Sequence, residues 1–145
     1  MVMQVTNDAL LDESLGCLRA HLHPKWGDRH PLDVFNRLLA KNIRPSGWTR
    51  NTHLDIQRGQ VGSRREQWTT EALGKLARGH NSTEGQDFGC PIIIAEYEGV
   101  QRVLDGNHRI NRWVTAGDTR AHDVNIHTIS GVGKFTELPT LANGA

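Results

Sequence analysis

The sequence contains only two cysteines, no long apolar run and no strong excess of charge of either sign. Cys17 and Cys90 match no CxxC motif and no disulfide framework, which fits the reducing cytosol. We expect each to be a small buried apolar side chain rather than a reactive thiol. The longest apolar run, residues 91–95, is far shorter than the ~20 residues that cross a membrane. The N-terminus also lacks the basic and apolar regions of a secretory signal, so the sequence predicts a cytoplasmic protein without a membrane partner.

The charge balance excludes a protein that coats DNA through bulk electrostatics, because the net charge is only +1 with histidine neutral. The charges are nevertheless spread unevenly. Residues 44–78 carry seven basic and three acidic side chains, a local charge of +4. We call this stretch the basic segment; its cations are Arg44, Arg50, Arg58, Arg64, Arg65, Lys75 and Arg78. It is either a solvated face or a surface that contacts phosphates.

The first fifty residues have the pattern of two helices. Leucines recur at spacings of three and four over residues 7–22, which predicts an amphipathic helix. Pro31 occupies a favoured first-turn position, and a second helix is predicted from there to the Pro45-Ser46-Gly47 stop. Residues 1–50 are therefore predicted to form an N-terminal helical extension.

Residues 51–130 are predicted to form the core of the domain, and residues 131–145 a tail. Weak alternation over residues 53–61 predicts a strand. Ser63-x-x-Glu66 is a capping-box pattern, and it predicts a following helix that buries Trp68, Leu73 and Leu76. A hairpin over residues 91–97 and 100–104, a helix ending at Gly117 and a strand over residues 123–129 complete the pattern.

The resulting order, α-α-β-α-β-β-α-β, predicts an α/β (α+β) fold with a small mixed sheet flanked by helices. One domain of 145 residues with 37% hydrophobic residues and a mean hydropathy of −0.53 can bury a modest core.

The sequence Asp105-Gly106-Asn107-His108-Arg109 joins the second hairpin strand to a helix. A helix N-terminus carries partial positive charge and attracts anions. Arg and His in a first turn oppose the usual preference for Asp and Glu, unless an anion neutralises them. Gly106 would permit close approach to a ligand, and Arg109 offers a bidentate fork for phosphate oxygens. The motif therefore predicts a phosphate site.

This arrangement resembles the ParB/sulfiredoxin superfamily, whose members carry a GxxR phosphate loop after a strand and an Ala-Gly at the end of the following helix. Here the corresponding residues are Gly106–Arg109 and Ala116-Gly117, and the resemblance covers about residues 54–130. Asn107 stands where sulfiredoxins carry the reactive cysteine, which excludes their thiol chemistry. Only about 15 residues follow the last predicted strand, too few for a helix-turn-helix of partitioning proteins. The loop is most similar to that of ParB-fold kinases.

The resemblance implies a site whose candidate catalytic residues are Asp105, Glu66 and His108. Asp105 is either an N-cap or the acceptor of a hydroxyl proton, and His108 either binds phosphate or protonates a leaving oxygen. Glu66 is either part of the capping box or a base or Mg²⁺-facing group. The candidate ligand-binding residues are Gly106, Asn107, His108, Arg109, Arg64 and Arg65.

The expected function is binding of a nucleotide (ATP, ADP or CTP), with or without Mg²⁺, or of a phosphorylated small molecule, with phosphoryl transfer or nucleotide hydrolysis as the activity. The alternative is a DNA- or RNA-binding or nuclease domain in which the same loop grips a phosphate and the basic segment follows the backbone. A third possibility is a protein that acts only through a partner docked on the N-terminal helices. The eight histidines show no metal-ligand spacing, so no zinc site is expected.

Overall fold

The computed structural model describes residues 7–20, 30–42, 56–77, 89–97 and 99–130. These residues form four α-helices, one 3-10 helix (Arg58–Gln60) and four strands in the predicted order. The elements are α1 (Asn7–Ala20), α2 (Pro31–Asn42), β1 (Val61–Thr69), α3 (Thr70–Leu76), β2 (Ile92–Tyr97), β3 (Val100–Asp105), α4 (Asn107–Thr115) and β4 (Ala121–Ile129). The α+β architecture with a small mixed sheet is therefore confirmed.

The four described strands are arranged in the order β1-β4-β2-β3. β4 lies between β1, to which it is antiparallel, and β2, to which it is parallel. β2 and β3 form the predicted antiparallel hairpin, and Gly99 adopts a φ of +79° in its turn. In this order β1 and β3 are the two edge strands of the sheet, about 14 Å apart at the ~4.8 Å spacing of neighbouring strands.

Helices cover both faces of the sheet. Because successive side chains of a strand point to opposite faces, the β2 run Ile92–Tyr97 supplies apolar groups to two cores. α1 and α2 pack on one face; that core contains Leu11, Leu15, Leu18, Phe35, Leu39, Ile93, Ala95, Leu104 and Ile129. α3 and α4 pack on the other, whose core contains Leu73, Ile92, Ile94, Val103, Ile110, Val124 and Ile126. The N-terminal helices thus share a core with the strands.

A buried polar network also joins α1 to the sheet. His127 of β4 is fully buried; its Nδ1 lies 2.7 Å from Ser63 Oγ and its Nε2 lies 2.7 Å from Ser14 Oγ. The Asn125 amide donates to Ser14 Oγ at 3.0 Å and to Glu13 Oε1 at 2.8 Å. Burial lowers the pKa of His127 from 6.5 to about 4, so the imidazole is neutral near pH 7.

The expectation for the cysteines was wrong, because Cys17 of α1 and Cys90, two residues before β2, form a disulfide. Their Cα atoms are 6.0 Å apart although 73 positions separate them in the chain. The packing of α1 against the sheet brings them together, and no local spacing pattern encodes such a contact. The prediction of a reducing cytosol depended on unpaired cysteines, so the cysteines no longer support it.

The prediction for residues 53–69 was also wrong. Within this stretch the described part begins at Ile56, the strand begins only at Val61, and Ser63 is a buried residue of β1 rather than a helix cap. Nine consecutive pairs with β4 hold the segment as a strand. The cap of α3 is Thr69, whose Oγ1 accepts a hydrogen bond from Ala72 N at 3.2 Å. Long-range strand pairing therefore overrides a local capping pattern.

Several further predictions fall on residues outside the described part: the last two residues of the first helix, the stop at residues 45–47, and the tail at residues 131–145. In the ranges that the structure does describe, no helix has the length and apolar character of a membrane span.

Candidate anion site at the β3–α4 turn

Gly106 makes the turn between β3 and α4. It adopts a left-handed conformation with φ of +119°, which an L side chain rarely adopts. A Cβ at this position would collide with Ile92 Cδ1 and lie 3.3 Å from Arg109 Nη2. The turn is therefore seated directly on the first residue of β2, and both backbone conformation and space require glycine.

The start of α4 combines a helix N-terminus with the paired charges of Asp105 and Arg109 beside it. Gly106 is its N-cap residue and supplies no side-chain cap, while the first turn contains Asn107 and His108 and no acidic residue. His108 is exposed. The peptide dipoles of the helix add partial positive charge at this end. An anion placed here would therefore be attracted by the helix end, and the His108 imidazole could donate a hydrogen bond to it.

Arg109 points inward, which differs from its expected role. The residue is only 3% exposed; its Nη1 donates to Cys90 O, and its Nη2 donates to Pro91 O at 3.3 Å. Nη2 also lies 3.5 Å from Asp105 Oδ2 in an i,i+4 ion pair. Cys90 and Pro91 precede β2, so Arg109 ties the turn to the start of that strand. This geometry does not support Arg109 as a phosphate ligand and makes it a positioning residue.

Three of the predicted site residues remain at the accessible side of the turn. Asp105 ends β3 with its side chain 21% exposed, Asn107 is half-buried, and His108 is exposed. Among the described residues of the turn, these groups and the backbone around Gly106 can contact a ligand. Chemically they offer a carboxylate, an amide and an imidazole beside a helix N-terminus.

Arg64, Arg65 and Glu66 do not lie at the turn, contrary to expectation. All three are in β1, the edge strand opposite β3. The alternation of a strand also sends Arg64 and Arg65 to opposite faces. Arg65 pairs with Glu13 of α1 and donates from Nε to Asn125 Oδ1 at 3.1 Å.

Arg64 and Glu66 belong instead to a charged cluster with Glu96. Arg64 Nε donates to Glu66 Oε2 at 2.7 Å, and its terminal nitrogens lie 3.3 Å from the two Glu96 carboxylate oxygens. Hydrogen bonds from Trp68 Nε1 and Arg64 lower the pKa of Glu66, so this carboxylate is a weaker base than usual. Bonds from Arg64 and Gln101 likewise lower the pKa of Glu96. This cluster accounts for Glu66 without a catalytic role.

The basic segment is largely neutralised where the structure describes it. Arg58 Nη2 lies 2.7 Å from Asp12 Oδ1, and Lys75 Nζ lies 3.8 Å from Glu71 Oε1. Arg64 and Arg65 have the acidic partners given above. Arg44, Arg50 and Arg78 lie outside the described residues. The four described cations therefore do not form an unpaired track for a nucleic-acid backbone.

A cluster at the far end of α4 was not predicted from the sequence. The rings of Trp113 and His122 stack with centroids 3.7 Å apart, and His122 Nε2 lies 2.9 Å from Thr70 Oγ1 and 3.5 Å from Asp118 Oδ1. Hydrogen bonds from Arg120 lower the pKa of Asp118 to about 2. In a catalytic triad the hydroxyl and the carboxylate contact different nitrogens of the histidine. Thr70 and Asp118 both approach His122 Nε2, so the three residues do not form such a triad. The cluster joins α3, α4 and β4.

Glu96 and His127 were missed as well. No local motif marks them, because their partners Arg64, Ser63 and Ser14 lie at least 32 positions away in the chain. Among the described residues no three His, Cys, Asp or Glu side chains come together as a metal site.

Comparison of this chain with protein-family models, curated proteins and solved structures found no match.

Proposed function

We propose that the protein binds a phosphorylated ligand, with a nucleotide as the first candidate, at the β3–α4 turn. The observation that carries the proposal is the glycine turn itself. Gly106 seats the backbone against Ile92 and opens α4 with an exposed His108 and no acid in the first turn. A phosphate group matches the charge of this helix end and the hydrogen-bonding capacity of its backbone.

The order of the elements adds support. The described chain runs strand, helix, hairpin and then Asp105–Arg109 into a helix and a final strand, the order on which the resemblance to the ParB/sulfiredoxin superfamily was based. By that resemblance the activity would be nucleotide-dependent phosphoryl transfer or nucleotide hydrolysis. Asp105 would accept the proton of the attacking hydroxyl or water, and His108 would stabilise or protonate phosphate oxygens.

Arg109 contributes indirectly in this proposal, by holding the turn on the Cys90 and Pro91 carbonyl groups. A Mg²⁺ ion suits the turn only as a companion of the nucleotide, because Asp105, the one carboxylate at the turn among the described residues, is paired with Arg109. Mg²⁺ commonly binds through one or two carboxylates together with substrate phosphates. Glu66, in the edge strand β1 and bonded to Arg64 and Trp68, takes no part.

The test is a thermal-shift and calorimetric panel of nucleotides, with and without Mg²⁺, on the wild type and on two variants of α4. A nucleotide at 100 times its Kd stabilises the fold by about 2.7 kcal/mol, which raises the Tm by several degrees. His108→Glu places an acid at the start of α4, where it favours the helix but repels phosphate. We expect at least a tenfold loss of affinity without a loss of stability.

The matched control is Thr115→Glu, which adds the same charge at the exposed far end of the same helix. It should leave the affinity within about twofold, because the site is roughly seven residues or about 10 Å away along the helix. Equal affinities for wild type and His108→Glu would refute the site. Salt-sensitive binding of duplex DNA with no response to nucleotides would favour the nucleic-acid alternative.

A further inference from the structure

Cys90 connects the disulfide to the β3–α4 turn. Cys90 is bonded through its sulfur to Cys17 of α1, and its carbonyl oxygen accepts a hydrogen bond from Arg109 Nη1. Arg109 in turn belongs to the first turn of α4 and pairs with Asp105. A continuous path therefore runs from α1, on one face of the sheet, to the β3–α4 turn.

Cys90 lies before β2, whose paired residues begin at Ile92. It follows Gly89, which adopts a φ of +74°. The bridge to Cys17 and the bond from Arg109 thus act on a residue outside the strand ladder. Opening the bridge would remove one of these two restraints and leave the Cys90 carbonyl freer to move away from Arg109.

The rest of α1 has independent attachments to the sheet. Leu11, Leu15 and Leu18 lie in the core with the strands, and Ser14 contacts the buried His127 at 2.7 Å. The fold therefore retains its apolar and polar contacts to α1 when the covalent link is broken. A change of redox state would act locally on the turn rather than on the whole sheet.

We propose that the Cys17–Cys90 disulfide is a redox-controlled link between α1 and the β3–α4 turn, opened by a dithiol reductant. Cys90 is half-buried whereas Cys17 is buried, so the reductant's thiolate attacks Cys90 Sγ. The bond to Cys17 breaks, and the Cys17 sulfur leaves with the electron pair and takes a proton. The second thiolate of the reductant then releases Cys90, which also takes a proton. Two electrons and two protons pass to the protein, and the dithiol becomes a disulfide.

The redox link needs no nucleotide, so it is tested on the protein alone. The measurement is amide hydrogen exchange by NMR on the oxidised protein and on protein reduced with dithiothreitol. The reporter is the Ile110 amide, which donates to Gly106 O at 2.9 Å across the turn. The internal control is the Ile126 amide in β4, opposite Arg64 of β1. We expect reduction to raise exchange at Ile110 at least tenfold and to change Ile126 by less than twofold.

The matched variant is Cys17→Ala, which removes the bridge and leaves Cys90 and its carbonyl oxygen in place. Its Ile110 exchange should equal that of the reduced wild type and should not respond to dithiothreitol. If this variant fails to fold, reduced wild type alkylated with iodoacetamide replaces it.

Four outcomes would overturn the inference. Iodoacetamide could label both cysteines of protein that has been treated with oxidised dithiothreitol, which would show that no bridge forms. Ile110 could exchange at the same rate in both redox states, which would show that the link does not reach the turn. The exchange rates of Ile110 and Ile126 could rise together, which would show that the bridge stabilises the whole fold. A response of Cys17→Ala to the reductant would place the effect elsewhere.

Discussion

Acidification should destabilise the protein through His127, the fully buried imidazole between Ser14 and Ser63. Burial lowers its folded pKa to about 4, whereas the unfolded chain has the ordinary value of 6.5. Between these two pH values the unfolded state binds a proton that the folded state does not. Stability from this group is therefore complete above pH 6.5 and decreases as the pH falls towards 4.

The size of the effect follows from the shift. One pKa unit corresponds to about 1.4 kcal/mol, so the free energy of unfolding should fall by about 3 kcal/mol between pH 7 and pH 4 from this residue alone. That is a large part of the ~5–15 kcal/mol that stabilises a typical domain. Other groups also titrate in this range, so the contribution of His127 has to be isolated by a variant.

The variant is His127→Gln, which keeps a hydrogen-bonding amide between the two serines but cannot titrate. Loss of the edge contact with Phe35, at a ring separation of 5.8 Å, and of ideal hydrogen bonding should cost about 1–2 kcal/mol at pH 7. Urea unfolding followed by tryptophan fluorescence at pH 7, 5.5 and 4 measures both proteins. We expect the difference to shrink with falling pH and to vanish or reverse at pH 4.

Parallel stability curves for wild type and His127→Gln would refute the reasoning. They would mean that the folded protein accepts a proton at His127 as readily as the unfolded chain does. The pKa values of Glu66, Glu96 and Asp118 are also lowered, so these carboxylates stabilise the fold less in acid. Their contribution is the same in both proteins and cancels in the difference between the two free energies of unfolding.

Two further predictions concern the β3–α4 turn. In thermal denaturation, Gly106→Ala should lower the free energy of unfolding by about 2–4 kcal/mol, since a Cβ would meet Ile92. Gly99 also has a positive φ but has open space around it, so Gly99→Ala should lower it by only about 1–2 kcal/mol. Equal losses would show that the contact with Ile92 does not matter. If the protein turns over a nucleotide, Asp105→Asn should lower kcat by about 100-fold, whereas Glu66→Gln, in the opposite edge strand, should leave kcat unchanged. The reverse pattern would move the base to β1.

Local patterns in the sequence were sufficient for the order of the elements. The leucine spacing of α1, the apolar run of β2 and the glycine of the β2–β3 hairpin each specify a local conformation, and all three elements are present. Gly106 was also identified as the turn into α4. These features depend on side-chain periodicity and on the backbone preferences of a few neighbouring residues, and both can be read directly from the sequence.

Only the tertiary structure decided which side chains meet. The capping-box pattern at Ser63 was overridden by nine pairs with β4, which placed Arg64 and Arg65 on opposite faces of β1, the edge strand opposite β3. The packing of α1 on the sheet made the Cys17–Cys90 bridge, and the carbonyl groups before β2 drew Arg109 inward. Each of these contacts joins residues at least 18 positions apart, and such contacts depend on the global packing of elements rather than on any local signal.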